Sequence, residues 1–487
     1  MKIFTPAREY LEAFSSSSPV SWKSPLPLLD KVELFLFRMF LVVCTRIAPV
    51  VYIETRSEID PKLLAVATLL KRAGICEDIS YSYDEVSGYH RAIALKTISY
   101  DLNIKKLHSN GVDKDKNIAF SKALGEIVER VVGGVLDQNR RIHKKSLEEI
   151  NSQYYNPSAV HHYTQQQKET FPWLCVDPRK EIEWVEGESL VTKDKVFIPR
   201  SLTSWHKKSS KENEYLISAT TNGSAGYFTR EGAVLRGLFE VVERDGFLVH
   251  WLSKIAPPSV VIESLPQSLT KQVNEVRQEG DIYILDTMTE VGVPSVVIVL
   301  IQKSGAKESV SMSGASRLTY AEAIEDALKE MVPCARYSRK FFVEEEVEFK
   351  KMDAYTADLG KEGRVKWWVG ENRRKHIAWF LEGEQHSFLS CEKRNLVDGN
   401  TSDSKGLKLV TDKLVALGKG YMPWVYYPKH EALHQVGFCV AQVFVVQLFP
   451  MYLVEYLGTF ESERLKEFAS YKKTTFTTAN TTPHPMS

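Results

Sequence analysis

Two short segments, Glu126-Ile-Val-Glu129-Arg130 and Glu240-Val-Val-Glu243-Arg244, repeat the same spacing of acids. On a helix, positions i and i+3 share a face, so each segment presents two carboxylates in one direction. Two such helices facing one another would gather four negative charges, which cations or raised carboxyl pKa values must relieve. Mg2+ takes carboxylate oxygens together with waters and substrate phosphates, so this donor set suits a magnesium–nucleotide. Arg130 and Arg244 sit beside the acids and either pair with them or touch phosphate. A single Glu-x-x-Glu-Arg is ordinarily a solvated helix face with local ion pairs; the second copy in the same helical frame shifts the reading toward a site. Ahead of the second pair, Thr221-Asn-Gly-Ser-Ala-Gly226 allows positive φ and close approach of a ligand to backbone, although such a loop alone is an ordinary turn. The chain has no GxxxxGK[ST] and no GxGxxG after a strand, so neither a P-loop nor a dinucleotide fingerprint is supported.

The acids belong to a longer recurrence. Ala119-x3-Ala123-Leu124-x-Glu126, Ala233-x3-Gly237-Leu238-x-Glu240 and Ala323-x3-Ala327-Leu328-x-Glu330 share the pattern A-x3-[A/G]-L-x-E. Small residues at i and i+4 with Leu at i+5 make one apolar helical stripe that permits close packing. The third copy opens with Thr319-Tyr-Ala-Glu322, a capping-box sequence that predicts its start. Val293–Ile301 and Cys439–Leu448 are rich enough in β-branched residues to predict fully buried strands. Three alike helices separated by strand-like runs predict an α+β fold with antiparallel sheets. Residues 32–91, which alternate apolar runs with charge, predict a small N-terminal α/β lobe.

Composition narrows the function classes. In 487 residues, 63 Lys+Arg and 62 Asp+Glu leave a net charge of +1, and no basic block argues for nucleic-acid binding. The length allows roughly three domains or one large enzyme body with ancillary lobes. Cys44, Cys76, Cys175, Cys334, Cys391 and Cys439 are scattered singly, as in reduced thiols of a cytoplasmic protein. The start lacks a signal-peptide core. The greasiest stretch, Leu34 to Ile53, contains Arg38, Arg46 and Pro49, so it predicts a buried helix leading into a strand and not a membrane span. Ser15–Pro19, Tyr154–Gln167 and Lys207–Glu214 read as surface connections, with His161-His162 a surface pair. His430 and His434 lack a third ligand for a metal. Trp367-Trp368 and Tyr426-Tyr427 either line a channel or fill a core, and core is the expectation.

Longer runs carry a family resemblance. Asn222-Gly-Ser-Ala-Gly-Tyr-Phe-Thr-Arg-Glu-Gly-Ala233, continuing through Leu238-Phe-Glu240-Val-Val-Glu243-Arg244-Asp245, resembles the signature of the YcaO family. Ala119-Phe-Ser-Lys-Ala-Leu-Gly-Glu126-Ile-Val-Glu129-Arg130 is similar to that family's first ATP-site helix. Asp286-x5-Gly292-Val-Pro294, the Ala323–Glu330 helix and Val436–Val445 follow in the family's order, so the likeness covers about residues 92–487. It implies a YcaO-type catalytic domain over 92–487 behind a lobe at 1–91 that contacts a partner or leader. It also implies an ATP site of Ser121, Lys122, Glu126, Glu129, Arg130, Asn222, Glu240, Glu243, Arg244 and Glu330. Mg2+ would be held by Glu126, Glu129, Glu240 and Glu243. Three departures stand out. Gly111-Val-Asp113 replaces Gly-Lys-Gly, and Lys122 takes the place of a serine, with Ser121 next door. Glu330-x-x-Pro333 replaces Glu-x-x-Gln, and a proline there should end or kink the helix.

Members of the family use ATP and Mg2+ to activate a backbone amide of a peptide. In the azoline-forming branch a Cys, Ser or Thr side chain of the substrate attacks the preceding carbonyl. The oxyanion is phosphorylated, and phosphate leaves to give thiazoline or oxazoline, the precursors of thiazole and oxazole in bacteriocin-like products. That branch tends to end in a Pro-x-Pro-x-Pro tail reaching the active site, and Pro483-His-Pro485-Met-Ser487 is similar to it. Pro483, His484, Pro485 and Ser487 are therefore expected at the reaction centre. His484 itself is expected to be exposed and passive. The resemblance further implies a precursor-peptide substrate, a leader-binding partner of the E1-like or ThiF-like kind, an FMN-dependent azoline dehydrogenase, and a homodimer within a larger complex. Thioamide or amidine formation, or a non-catalytic scaffold, are the competing readings.

Overall fold

The computed structural model describes residues 59–486 apart from 85–88, 101–102, 139–140, 157–162, 176, 205–219, 344–354 and 356. The segments expected at 15–19, 34–53 and 207–214, the pair His161-His162, and Ser487 lie outside the described residues. The chain divides into two compact units.

In the first unit, residues 59–132 join 429–438. Helix α1 (Pro61–Arg72) starts on Pro61, with the Asp60 carboxylate accepting from Lys62 N at 2.8 Å. Strands β1 (Asp78–Asp84), β2 (Tyr89–Tyr100) and β3 (Asn103–Asp113) form an antiparallel sheet in that order. Helix α2 (Lys116–Gly134) is capped by Asp115, whose Oδ1 accepts from Asn117 N and Ile118 N at 2.7 and 3.0 Å. Its stripe of Ala119, Ala123, Leu124, Ile127 and Val131 is buried. The small residues let backbone approach backbone: a Cβ on Gly111 would lie 1.8 Å from Ala119 O. The boundary expected between residues 91 and 92 falls inside β2. Of the apolar runs that suggested a separate lobe, Leu63–Leu70 lies in α1. His430 Nδ1 accepts from Ala432 N at 3.2 Å and caps the short helix Glu431–Val436, so it is a capping group.

The second unit holds two sheets around one helix. Strands β4 (Ile142–Lys145), β5 (Gln153–Tyr154), β6 (Ile182–Ser189), β7 (Lys195–Pro199) and β8 (Ser224–Tyr227) join two late strands, β15 (Pro423–Tyr426) and β16 (Cys439–Val445). Their order is β5-β7-β6-β15-β16-β8, with β4 on β6. The second sheet runs β13-β12-β11-β10-β9-β14. Its strands are β9 (Ser259–Val260), β10 (Asp281–Asp286), β11 (Ser295–Ser304), β12 (Lys307–Ser316), β13 (Val369–Glu371) and β14 (Gln385–His386). Helix α3 (Arg230–Ser253) lies between the sheets. Its Val234, Leu238, Val241 and Val242 pack with Val443 and Val445, and its Phe247, Leu248 and Trp251 pack with Val297, Val299 and Met312. Helix α4 (Tyr320–Arg339) covers the other face of β11, where Val296, Ile298 and Leu300 meet Ala323, Ala327 and Met331. The period of two along β11 thus feeds two cores, which is why the segment reads as continuously apolar.

Of the two outcomes expected of Pro333, an end or a kink, α4 excludes the first. It runs through Pro333 to Arg339 without ending. Proline removes one helix donor, but Met331, Ala335 and Ser338 on either side are buried, and tertiary packing holds the turn. The start agrees with expectation: Thr319 accepts from Glu322 N at 3.3 Å. Trp367, Trp368 and Tyr426 are core residues.

Candidate active site

The acids on α2 and α3 are oriented by the same local device. Glu126 Oε2 accepts from Asn110 N at 2.7 Å, and Glu240 Oε2 accepts from Gly223 N at 3.0 Å. In each case the arginine one turn later pairs with that acid: Arg130 with Glu126, and Arg244 with Glu240 at 3.4 Å. A backbone amide on one side and an i+4 guanidinium on the other leave each carboxylate with a fixed orientation. The recurrence extends to the small residues. Ser109 Oγ donates to Ala123 O at 2.6 Å, and Ser313 Oγ donates to Ala327 O at 2.8 Å, both across fourteen positions. α2 and α4 therefore share a strand–helix unit.

In the first unit, Glu126, Glu129 and Ser121 are half-buried on α2. Arg130 also donates to His108 O. Lys122 is exposed and held by Asp113 Oδ2 at 2.8 Å and Val112 O at 3.3 Å. In Gly111-Val-Asp113, the stretch that departs from the family pattern, two residues are thus this lysine's partners.

In the second unit, Arg244 sits between Glu240 and Glu243, 3.2 Å from Glu243 Oε1. Burial pushes the Glu240 carboxyl up to about 7; Arg244 opposes this and Glu243 adds to it. Glu330 on α4 is exposed to solvent, and its protein surroundings, followed by the charge of Glu243, push its carboxyl up. Arg317, whose Nε bonds Asp326 Oδ2 at 2.7 Å, opposes that rise. Glu240, Glu243 and Glu330 therefore form one interacting acidic group around Arg244. Asn222 Oδ1 accepts from Met451 N at 3.4 Å. In its loop Gly223, at φ +77°, is the residue whose amide holds Glu240.

The tail comes to the same acids. Met486 pairs with Met312 of β12, and its Sδ lies 2.9 Å from Arg244 NH1. A Cβ on Gly314 would meet Glu243 Oε1 at 3.1 Å and Met486 Cε at 3.2 Å, so a glycine there leaves room for both. His484 is fully buried, contrary to the expectation of an exposed residue, because Arg364 and the Tyr452 ring enclose it. Sequence reasoning missed Arg317, Asp326, Arg364 and Met486, none of which carries a local signal.

The acids fit a magnesium–nucleotide. All are hard oxygen donors, and the buried Glu243 Oε1, which accepts no hydrogen bond, has as its counter-charge the Arg244 guanidinium at 3.2 Å that Glu240 shares, leaving the acids in excess of their cation. A second cluster does not fit a metal. Asp286, His386 and Cys391 place ligand atoms within 4.8 Å of one another. However, Arg394 donates to Asp286 Oδ2 at 2.6 Å and to Cys391 Sγ at 3.3 Å, so a guanidinium already fills the cation's place. Among the described residues no helix is long and apolar enough to cross a membrane.

Known proteins resemble this chain over most of its length. The family model for YcaO cyclodehydratase, ATP- and Mg2+-binding, matches residues 110–448. No curated protein matches the chain. Among solved structures, a heterocyclase in complex with substrate and cofactor superposes with a TM-score of 0.66 at 18% identity, over 86% of this chain and 57% of that one. The YcaO protein of Methanopyrus kandleri bound with AMPPCP and Mg2+ gives 0.57 at 19%, over 77% and 87%. A chain of the E. coli microcin synthetase McbBCD complex with pro-MccB17 bound gives 0.52 at 14%, over 77% and 90%. The chain thus spans little more than half of the heterocyclase. With the α+β architecture and the paired acids, the match across residues 110–448 establishes that this chain belongs to the YcaO family of ATP- and Mg2+-dependent enzymes.

Proposed function

We propose that the enzyme is a peptide cyclodehydratase, converting Cys, Ser or Thr of a ribosomally made precursor into thiazoline or oxazoline at the expense of ATP. The observation that carries this reading is the end of the tail, Met486, lying against Arg244 beside Glu240 and Glu243. In the azoline branch that placement brings the chain terminus to the reacting amide. Glu126, Glu129, Glu240 and Glu243 are the proposed metal-facing acids, with Glu330, Arg130 and Arg244 beside the nucleotide. Bound Mg2+ would neutralise charge that develops on the transferred phosphoryl group. The chain's own contribution is orientation: Asn110 N and Gly223 N aim one oxygen of each leading acid, and the buried tail excludes water on one side. Ser121, Asn222 and Lys122 complete the proposed nucleotide shell, with Lys122 changing partners from Asp113.

The same reading calls for a leader-binding partner of the E1-like or ThiF-like kind, an FMN dehydrogenase that oxidises the azolines, and two copies of this chain within that assembly. Incubating protein, partner and precursor with Mg2+ and ATP tests the reading by mass spectrometry. Loss of about 18 Da per ring with phosphate release is expected, since one water leaves. A gain of about 16 Da would indicate oxygen-to-sulfur exchange instead. An unchanged mass without hydrolysis would leave a scaffold.

A further inference from the structure

Residues 480–486 rest in a cradle whose hydrogen-bonding partners all lie in the second unit. Asn480 N donates to Leu252 O at 2.7 Å. Trp251 Nε1 donates to Thr482 O and Trp368 Nε1 to Pro483 O, both at 3.0 Å. Prolines 483 and 485 have no N–H, so this stretch is rich in acceptors, and the body supplies indole and guanidinium donors to match.

The next contact is of a different kind. Arg364 is fully buried, and its Nε and NH2 bond Glu455 Oε1 at 2.9 and 2.6 Å. Glu455 Oε2 is taken by Leu359 N at 2.9 Å. The remaining nitrogen, NH1, reaches Tyr452 O at 3.1 Å and His484 Nε2 at 2.9 Å. Nε2 also lies 3.0 Å from Tyr452 O, which it could meet only as a donor; because arginine can only donate, the contact with NH1 requires the neutral Nδ1–H tautomer, in which Nε2 accepts and Tyr452 O is left to NH1. Phe247 and Tyr452 stand edge-on to the ring, at 5.6 and 4.9 Å between centroids. Burial and the charge of Arg364 hold the imidazole well below its usual range. A base that must exchange protons with substrate needs access and a usable pKa, and this histidine has neither. It is instead a fixed acceptor two residues before Met486, which touches Arg244.

We propose that Arg364, clamped by Glu455, is a positioning residue of the reaction, seating the tail through His484 so that residues 485–486 end against Arg244 and Glu243. The assignment rests on the proposed function only in taking Glu240 and Glu243 as nucleotide-side acids.

Three full-length variants test it. His484→Phe keeps the ring volume among Phe247 and Tyr452 but leaves Arg364 without its acceptor. His484→Gln restores an acceptor, and Arg364→Met removes the donor. Timed digestion with carboxypeptidase, followed by mass, reads whether the tail is seated. Steady-state Mg2+-dependent ATP hydrolysis reads its consequence. For H484F and R364M, trimming past residue 484 is expected to be at least about tenfold faster, with kcat down about tenfold and the KM for ATP within about twofold. H484Q is expected to recover most of both losses. The proposal is overturned if the tail of H484F stays as protected as in wild type, if trimming speeds up while kcat holds, or if H484Q is as impaired as H484F. Should R364M fail to fold, the His484 pair decides, since both leave the Arg364–Glu455 pair in place. If the wild type hydrolyses no ATP, the nucleotide reading has failed, while the trimming contrast still decides what seats the tail.

Discussion

Glu240 shows how a single residue combines two demands. Its orientation comes from Gly223 N and Arg244, while burial and Glu243 push its carboxyl up from 4.5 to about 7. The folded chain therefore binds this proton more tightly than the unfolded chain does. Between those values the folded state carries more protons, so the contribution of Glu240 to stability falls as pH rises through the window. In metal-free protein, wild type is expected to lose thermal midpoint relative to Glu240→Gln between about pH 5 and pH 7.5, because glutamine does not titrate. Calorimetry of the two proteins across that range checks it, and parallel curves would show that Glu240 is solvated like an ordinary surface acid.

At the level of elements, small residues hold helix against strand closely enough for backbone amides to reach the acids. Gly237 on α3 is the sharpest case: a Cβ there would lie 2.6 Å from Gly223 O and 2.8 Å from Val443 Cγ2. Gly223 is also the amide donor to Glu240, so packing and site share one contact. Gly237→Ala is expected to cost about 1–3 kcal/mol by overpacking and to weaken nucleotide binding as Gly223 shifts. Gly399→Ala, with nothing within 4 Å, serves as the control. Urea denaturation and nucleotide titration of both variants read the difference; equal behaviour would mean that the Gly237 contact is slack.

At the scale of the whole molecule, Glu240, Glu243 and Glu330 form a group whose mutual repulsion a divalent cation would relieve. ATP with Mg2+ is therefore expected to stabilise the protein, by about 2.7 kcal/mol at a hundredfold excess over Kd. EDTA should abolish the shift. Glu243→Gln should abolish it too, along with hydrolysis; in metal-free protein it loses the 3.2 Å ion pair to Arg244 while easing the repulsion that raises Glu240 and Glu330, and the two changes oppose each other. A full Mg2+·ATP shift in that variant would remove Glu243 from the metal site. The tail belongs to this scale as well, because its cradle draws on α3, on β12 and on segments 359–368 and 452–455 at once.

The helices with their Glu-x-x-Glu-Arg faces, the capping box at Thr319 and the doubly buried strand β11 are all legible in the amino-acid order. Each is a local periodicity, settled by which side chains fall on one face within a few turns. The family likeness is legible for the same reason, since its motifs are those periodic stretches. The strand spanning residue 91, the uninterrupted helix through Pro333 and the burial of His484 are not. Arg364 stands 120 positions from His484 and 91 from Glu455, and nothing in either neighbourhood announces the pairing. Whether a histidine is a solvated base or a neutral acceptor depends on which charges and rings surround it. Packing of distant segments alone settles that, because the cost of burying a polar group is met or left unmet only once its partners are in place.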